Sequence, residues 1–166
     1  MDFSIRKVNC DEDIKRIAEC AKVIWHDTFD SILKDGQVEY MIEKFQSLDA
    51  LKSCVDAEGY VYYIAEADGK IAGYCGVHPE TDNQKLFISK IYVHPDFQRN
   101  GIATAFFNLL KSEYGEKFKT FYLTVNKYND RAVNVYKEWN FVTVDSVVTD
   151  IGSGYVMDDY IMEFYN

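Results

Sequence analysis

The stretch Ile91–Ala103 constrains this chain more than any other part of its sequence. Residues 86–93 carry the β-branched and aromatic side chains that favour a strand, and Pro95 ends it because proline cannot donate to a β-ladder. Gly101 then precedes apolar residues at helical spacing over residues 102–114. The pattern predicts a strand, a short loop and a helix whose first turn presents free backbone N–H groups.

The start of that predicted helix is suited to binding a phosphate. Gly101 and Ala103 carry almost no side chain, so an anion can approach the backbone closely. The loop lacks the Gly-Lys-Ser/Thr ending of a nucleoside triphosphate loop and the three glycines of a dinucleotide fingerprint. Residues 98–103 instead fit the pattern Gln/Arg-x-x-Gly-x-Gly/Ala.

A second pattern follows the predicted strand at residues 120–125. Residues 129–141 fit Asn-x-x-Ala-x-x-x-Tyr-x-x-x-Gly-Phe, with Asn140 in the glycine position. The helix must end there with a positive φ, and asparagine tolerates that better than other non-glycine residues. With both motifs in this order, the region 60–141 resembles the GCN5-related N-acetyltransferase (GNAT) family, and the chain is similar to its small-molecule and polyamine-type members.

The resemblance implies an α/β fold with a mixed, mostly antiparallel sheet flanked by helices. It also implies acetyl-coenzyme A as cosubstrate and acetyl transfer to a primary amine. The cofactor-binding residues would then be Ile91, Tyr92, Val93, Gln98, Arg99, Asn100, Gly101, Ile102, Ala103, Thr104 and Asn129. The backbone at residues 91–93 would pair with the pantetheine amides, and Asn129 would hydrogen-bond the pantetheine or pyrophosphate arm. Tyr136 would lie beside the cofactor sulfur as the catalytic residue that protonates the leaving thiolate.

Each of these roles has a structural alternative that the sequence leaves open. Tyr136 is one of 13 tyrosines, and a tyrosine on an apolar helix face commonly belongs to the core. Asn129 can act as a helix N-cap, with or without a ligand. Arg99 can be a solvated loop charge. The three histidines are not spaced as metal ligands, so no metal is expected.

No obvious general base accompanies the motifs. Many members of the family place a glutamate on the strand before the phosphate loop, but Phe87, Ser89 and Ile91 occupy that face here. One remaining source is Glu66 on a predicted hairpin, whose simpler role is an exposed charge at the sheet edge. The other is a water chain through Ser89 and tyrosine hydroxyls.

Charge is distributed unevenly along a chain whose formal net charge of -9 argues against nucleic acid as its main partner. Residues 1–60 hold 13 acidic and 8 basic side chains, and residues 145–166 hold five acidic side chains and no Lys or Arg. Residues 85–137 hold nine basic and four acidic side chains. A phosphate-rich cofactor suits the basic middle, and a cationic amine suits the acidic ends. An acidic surface with local fluctuations is the alternative.

The acceptor site is expected from the first two helices and the last hairpin. Residues 25–33 and 39–42 are similar to that part of the polyamine-type members. Trp25, Phe29 and Tyr155 can stack on an alkylamine or belong to the core, which is favoured for Trp25. A protein N-terminal acetyltransferase and a non-catalytic acyl-coenzyme A-binding module remain the alternatives.

The chain as a whole predicts a single acetyltransferase domain over residues 1–166. Strands are predicted at residues 3–8, 60–67, 70–78, 86–93, 120–125, 141–148 and 155–165, with Asp68-Gly69 as a two-residue hairpin turn. Helices are predicted after Asn9, over residues 38–45 and 48–55, and over residues 102–114 and 129–139. Asn9 is the expected N-cap of the first helix, with Glu12 completing a capping box.

The expected setting is the cytoplasm, with all four cysteines reduced. No apolar run reaches membrane-spanning length, and no signal peptide opens the sequence. The expected partners are a small-molecule amine and, as a candidate homodimer, a second copy of the chain. Neither nucleic acid nor a membrane is expected as a partner.

Overall fold

Seven strands form one mixed sheet, in a computed structural model that describes residues 1–166. The strands are β1 (Ser4–Lys7), β2 (Val61–Ala67), β3 (Lys70–Glu80), β4 (Lys85–Val93), β5 (Thr120–Asn126), β6 (Val142–Gly152) and β7 (Tyr155–Tyr165). Their order across the sheet is β1-β2-β3-β4-β5-β7-β6, and only the β4–β5 pair is parallel. The predicted mixed, mostly antiparallel α/β fold is confirmed.

Helices cover both faces of the sheet. They are α1 (Asp11–Phe29), α2 (Gln37–Met41), α3 (Leu48–Asp56), α4 (Ile102–Tyr114) and α5 (Asp130–Glu138). One buried cluster lies under α1, α2 and α3, and a second lies under α4 and α5. Fully buried side chains such as Ile17 and Phe106 contribute roughly 1.5–3 kcal/mol each. No helix has both the length and the apolar character needed to cross a bilayer.

Two local turns confirm expectations drawn from residue type. Asp68 and Gly69 adopt φ values of 52° and 72° and join β2 to β3 as a tight hairpin. Asn140 adopts φ 73° after the end of α5, where the family pattern has glycine. The chain can reverse there because asparagine tolerates the left-handed region.

The prediction that Asn9 caps the first helix is wrong. Helix α1 begins at Asp11, and Cys10 holds the N-cap position without a side-chain cap. Asp13 takes the place expected for Glu12, because its carboxylate accepts from the Asn9 N–H at 3.5 Å. That carboxylate also binds Arg6 of β1 at 2.7 Å, so a neighbouring strand decides which acidic side chain faces inward.

Two predicted boundaries also differ from the structure. Strand β3 runs through Pro79 to Glu80, which pairs with Lys85. β2 pairs with β3 only as far as Val77, so at Pro79 the strand β3 pairs with β4 alone. A strand that is paired on one side only tolerates proline, which has no N–H to donate. The predicted helix over residues 38–45 is α2 followed by a π-helical turn at Ile42–Gln46.

Candidate functional site

The centre of the sheet opens between β4 and β5. These strands pair only at residues 85–87 of β4 and 120–122 of β5, where Phe87 stacks on Tyr122 with ring centroids 4.9 Å apart. Farther along, β4 continues to pair with β3 and β5 with β7, but not with each other. The facing edges therefore offer backbone N–H and C=O groups without a ladder partner.

A cavity of about 880 Å³ lies at this opening. It is lined from α1, from the diverging strands, from the N-terminal turns of α4 and α5, and from β7. This volume falls in the range of small-molecule and cofactor sites, roughly 300–1,000 Å³. The cavity therefore joins a free strand edge to two helix N-termini.

The first turn of α4 forms the anion-binding end of the cavity. Gly101 precedes the helix with φ 80°, and no atom lies within 4 Å of the position that a Cβ would take there. The backbone N–H groups at the helix start have no acceptor within the helix, and its first turn contains no acidic residue. Arg99 lines the cavity beside this turn. Together these features favour a phosphate through the helix dipole and free N–H donors.

The loop before α4 is held in place by amide side chains. Gln98 donates to the Val93 carbonyl at 3.3 Å and accepts from the Arg131 guanidinium at 2.7 Å. Asn100 donates to two carbonyls of its own loop, at 3.1 Å each. Asn100 is the one predicted cofactor residue that does not line the cavity, and its side chain shapes the loop instead.

The other predicted cofactor residues are brought together along one wall. The cavity is lined by Ile91, Tyr92, Val93, Gln98, Arg99, Gly101, Ile102, Ala103, Thr104 and Asn129. Asn129 is also the N-cap of α5, because its side-chain oxygen accepts from the Ala132 N–H at 3.3 Å. Its side-chain NH₂ makes no hydrogen bond to the protein and remains able to donate to a ligand.

Tyr136 both packs against the core and faces the cavity. Its ring lies against Trp139 and Phe141, with centroids 5.7 and 5.9 Å away. Tyr136 lines the cavity from α5, and its hydroxyl makes no hydrogen bond to the protein. Burial raises the pKa of Tyr136 above its ordinary value, so the hydroxyl stays protonated and can donate.

The two predicted sources of a general base lie in different places. Glu66 does not line the cavity; Arg6 and Arg16 bind its carboxylate at 2.8 and 3.0 Å. The hydrogen bond from Arg6 is the main reason why the pKa of Glu66 is lowered. Ser89 does line the cavity, and its Oγ accepts from Lys90 at 3.1 Å. No three or more His, Cys, Asp or Glu side chains lie close enough together to hold a metal ion.

Aromatic and apolar side chains form the other end of the cavity. Trp25 is 5% exposed and packs against Phe29 and Tyr92, with ring centroids 4.7 and 5.8 Å away. Tyr155, a candidate either for stacking on the acceptor or for the core, does not line the cavity. Its hydroxyl donates to the Asp35 carbonyl at 3.1 Å, and its ring packs against Tyr40 with centroids 5.2 Å apart.

Asp159 is a cavity residue that the sequence motifs did not indicate. It lies on β7, is 7% exposed and makes no hydrogen bond to the protein through its carboxylate. Burial, and then the charge of Asp158, raise its pKa to about 6. Consecutive strand residues point to opposite faces, so an Asp-Asp pair within a predicted strand was the available signal that one carboxylate faces inward.

Comparison with known proteins agrees with this architecture. The model of the acetyltransferase (GNAT) family matches residues 23–141. An uncharacterized N-acetyltransferase from the pepI 3′ region of Lactobacillus delbrueckii subsp. lactis is 25% identical over 133 residues, which cover 76% of this chain and 77% of that protein.

Two solved structures share the fold over nearly the whole length. PaiA N-acetyltransferase from Thermoplasma acidophilum, in complex with coenzyme A, has a TM-score of 0.83 at 22% identity, with 100% of each chain covered. YncA from Salmonella typhimurium, a putative acetyltransferase solved with acetyl-CoA, has a TM-score of 0.68 at 15% identity. The match to YncA covers 99% of this chain and 94% of the other.

Proposed function

Because this chain belongs to the acetyltransferase (GNAT) family, we propose that it transfers the acetyl group of acetyl-coenzyme A to a primary amine. The acceptor is a small cationic amine such as a polyamine. One observation supports this most directly: a free strand edge and an anion-binding helix start meet in a single cavity. A molecule that carries amides at one end and phosphates at the other matches this arrangement.

The features of the cavity support one orientation for acetyl-coenzyme A. Its pyrophosphate would bind at the first turn of α4, where Gly101 admits close approach and the N–H groups of residues 102–104 can donate. The pantetheine amides would pair with the backbone of Ile91–Val93, which has no strand partner on that side. The Asn129 side chain, whose NH₂ can donate, would bind the same arm. This orientation brings the thioester toward Tyr136.

The transfer needs three things from the residues around the thioester. The attacking nitrogen must be neutral, the oxyanion needs fixed donors, and the thiolate needs a proton. Unpaired N–H groups on the β4 edge would stabilise the oxyanion. The Tyr136 hydroxyl, which is protonated and has no protein acceptor, would protonate the thiolate.

Two acidic side chains that line the cavity support a cationic acceptor. Of the acidic side chains in residues 1–60 and 145–166, only Asp27 and Asp159 line it. Asp27 is exposed at the rim, whereas Asp159 is buried inside. A di- or polyamine would place its reacting ammonium near Asp159 and a distal ammonium near Asp27.

A thiol-release assay tests this proposal with acceptors of matched length. We expect a diamine or polyamine to show a higher kcat/KM than a singly charged alkylamine. Its advantage should shrink as salt rises, because partly exposed charges are screened over a Debye length of about 8–10 Å near physiological ionic strength. Equal salt responses for both amines would remove the polyamine from the proposal. A higher kcat/KM for peptides with a free amino terminus would indicate a protein N-terminal acetyltransferase.

A further inference from the structure

The buried carboxylate of Asp159 lies where the proposed reaction needs a proton acceptor. Residue 159 is on β7 and pairs with Asn126 of β5. β5 is the strand that diverges from β4. Its side chain lines the same cavity as Tyr136, Ser89 and the β4 edge. A candidate for the base that was sought on β2 and β4 is therefore present on β7, across the opening.

The groups around Asp159 leave its charge unpaired. On the same strand, the Asp158 carboxylate binds the Lys127 ammonium at 2.7 Å, so this cation is already engaged. β6 contributes Val147 opposite Asp159, and β4 contributes Tyr92, whose pKa is raised by burial and further by the charge of Asp159. From α1, only Asp27 at the rim adds a charge. Lys90 of β4 lines the same cavity and the charge of Lys127 lowers the pKa of Asp159, but neither cation forms an ion pair with this carboxylate.

An unpaired buried carboxylate is costly for folding unless a ligand uses it. Two roles are chemically available in an amine-binding cavity: binding the ammonium ion and accepting its proton. An aspartate whose pKa is near 6 is a stronger base than an ordinary aspartate and is still ionised at neutral pH. The apolar walls around it disfavour a charged amine as well, which makes proton transfer easier.

We infer that Asp159 is the general base that accepts a proton from the acceptor ammonium before attack. This inference rests on the proposed function. Asp159 takes one proton from R–NH₃⁺, leaving R–NH₂, whose lone pair forms a bond to the thioester carbonyl carbon. The C–S bond then breaks as the carbonyl re-forms. The nitrogen loses a second proton, the coenzyme A sulfur gains one, and Asp159 returns its proton to solvent. The products are the N-acetylamine, coenzyme A and one proton.

Replacing Asp159 by asparagine tests this role while keeping the side-chain shape. We expect Asp159→Asn to lower kcat by about 100-fold or more, the range of a lost general base. The affinity for acetyl-coenzyme A, measured by titration calorimetry, should change by less than about threefold because the cofactor wall is untouched. Asp159→Glu should recover part of kcat.

The pH profile separates a base from a simple ammonium anchor. In the wild-type protein, kcat/KM should rise through a pH near 6 as Asp159 ionises, since the carboxylate form is the active one. The Asn variant should lack that limb. A raised KM with kcat and the pH limb both retained would overturn the inference and leave Asp159 as an anchor.

Asp145→Asn is the matched control, because it removes one negative charge from the neighbouring strand β6 at an exposed position. Asp145 does not line the cavity, so its variant should keep kcat within about fivefold of the wild type. Equal losses in both variants would attribute the effect to the loss of a negative charge anywhere on this part of the sheet and overturn the assignment. If Asp159→Asn does not fold, the wild-type protein alone tests the assignment. A wild-type kcat/KM that stays constant between pH 5 and 7 would overturn the role of Asp159 as the base. Wild-type protein that binds coenzyme A but acetylates no amine would overturn the proposed function, and this inference with it.

Discussion

Replacing Gly101 by glutamate should abolish tight cofactor binding while leaving the fold intact. Nothing lies within 4 Å of the Cβ position, so the new side chain has room to extend into the phosphate site. The backbone stays in the left-handed region at φ 80°, which costs a non-glycine residue about 1–2 kcal/mol. Gly101→Gln has nearly the same size and the same backbone strain, so it isolates the effect of charge.

The size of the charge effect follows from Coulomb's law. A carboxylate about 5 Å from a phosphate oxygen repels it by about 1–3 kcal/mol for effective dielectric constants between about 20 and 80. This repulsion corresponds to a loss of about 5- to 150-fold in affinity relative to the glutamine variant. Both variants also lose affinity against the wild type, because any side chain here blocks close approach to the backbone N–H groups.

Titration calorimetry with coenzyme A at low salt measures all three affinities. Circular dichroism and thermal melting establish that each variant is folded. We expect the order wild type, Gly101→Gln, Gly101→Glu, with the gap between the two variants narrowing at higher salt. Equal affinity of the wild type and the folded glutamate variant would refute the assignment of the α4 start as the phosphate site. Equal affinity of the two variants would refute the electrostatic reasoning.

Two further predictions concern α5. Tyr136→Phe should lower kcat by about tenfold or more with little change in the affinity for acetyl-coenzyme A. The reason is that only the hydroxyl is lost, while the ring still packs on Trp139 and Phe141. Unchanged turnover in a steady-state thiol-release assay would leave Tyr136 with a packing role only. Asn140→Gly should raise the free energy of unfolding by a few tenths to about 1 kcal/mol and Asn140→Ala should lower it by about 1 kcal/mol, because the residue is held at φ 73°. Urea denaturation of the pair checks this, and the reverse order would contradict the strain argument.

Segment charge was a poor guide to the acceptor site. The two acidic ends of the chain suggested a cationic substrate, yet only Asp27 and Asp159 from those segments line the cavity. Most of their other carboxylates lie on exposed positions, and Asp13 is bound by Arg6. Charge sums along the sequence do not record which way a side chain faces, and that direction decides what a substrate meets.

The features that sequence determined are those set by adjacent residues. The turn at Asp68-Gly69, the positive φ of Asn140 and the glycine before α4 follow from φ and ψ preferences that neighbouring side chains impose. Strands and helices followed from apolar periodicity for the same reason. The two motifs also located most of the cavity wall, because each motif is a local strand–loop–helix or strand–helix unit.

Only the tertiary structure decided how those units face one another. Pairing of β1 with β2 brings Arg6 to Glu66 and packing of α1 adds Arg16, whereas Asp159 remains unpaired inside the cavity. The opening between β4 and β5 depends on where their pairing stops, which neither strand encodes alone. Whether a carboxyl group becomes an ion-pair partner or remains a free base depends on the charges that distant segments bring within a few ångströms of it. Electrostatic interactions act through space rather than along the chain, so the sequence alone does not show this.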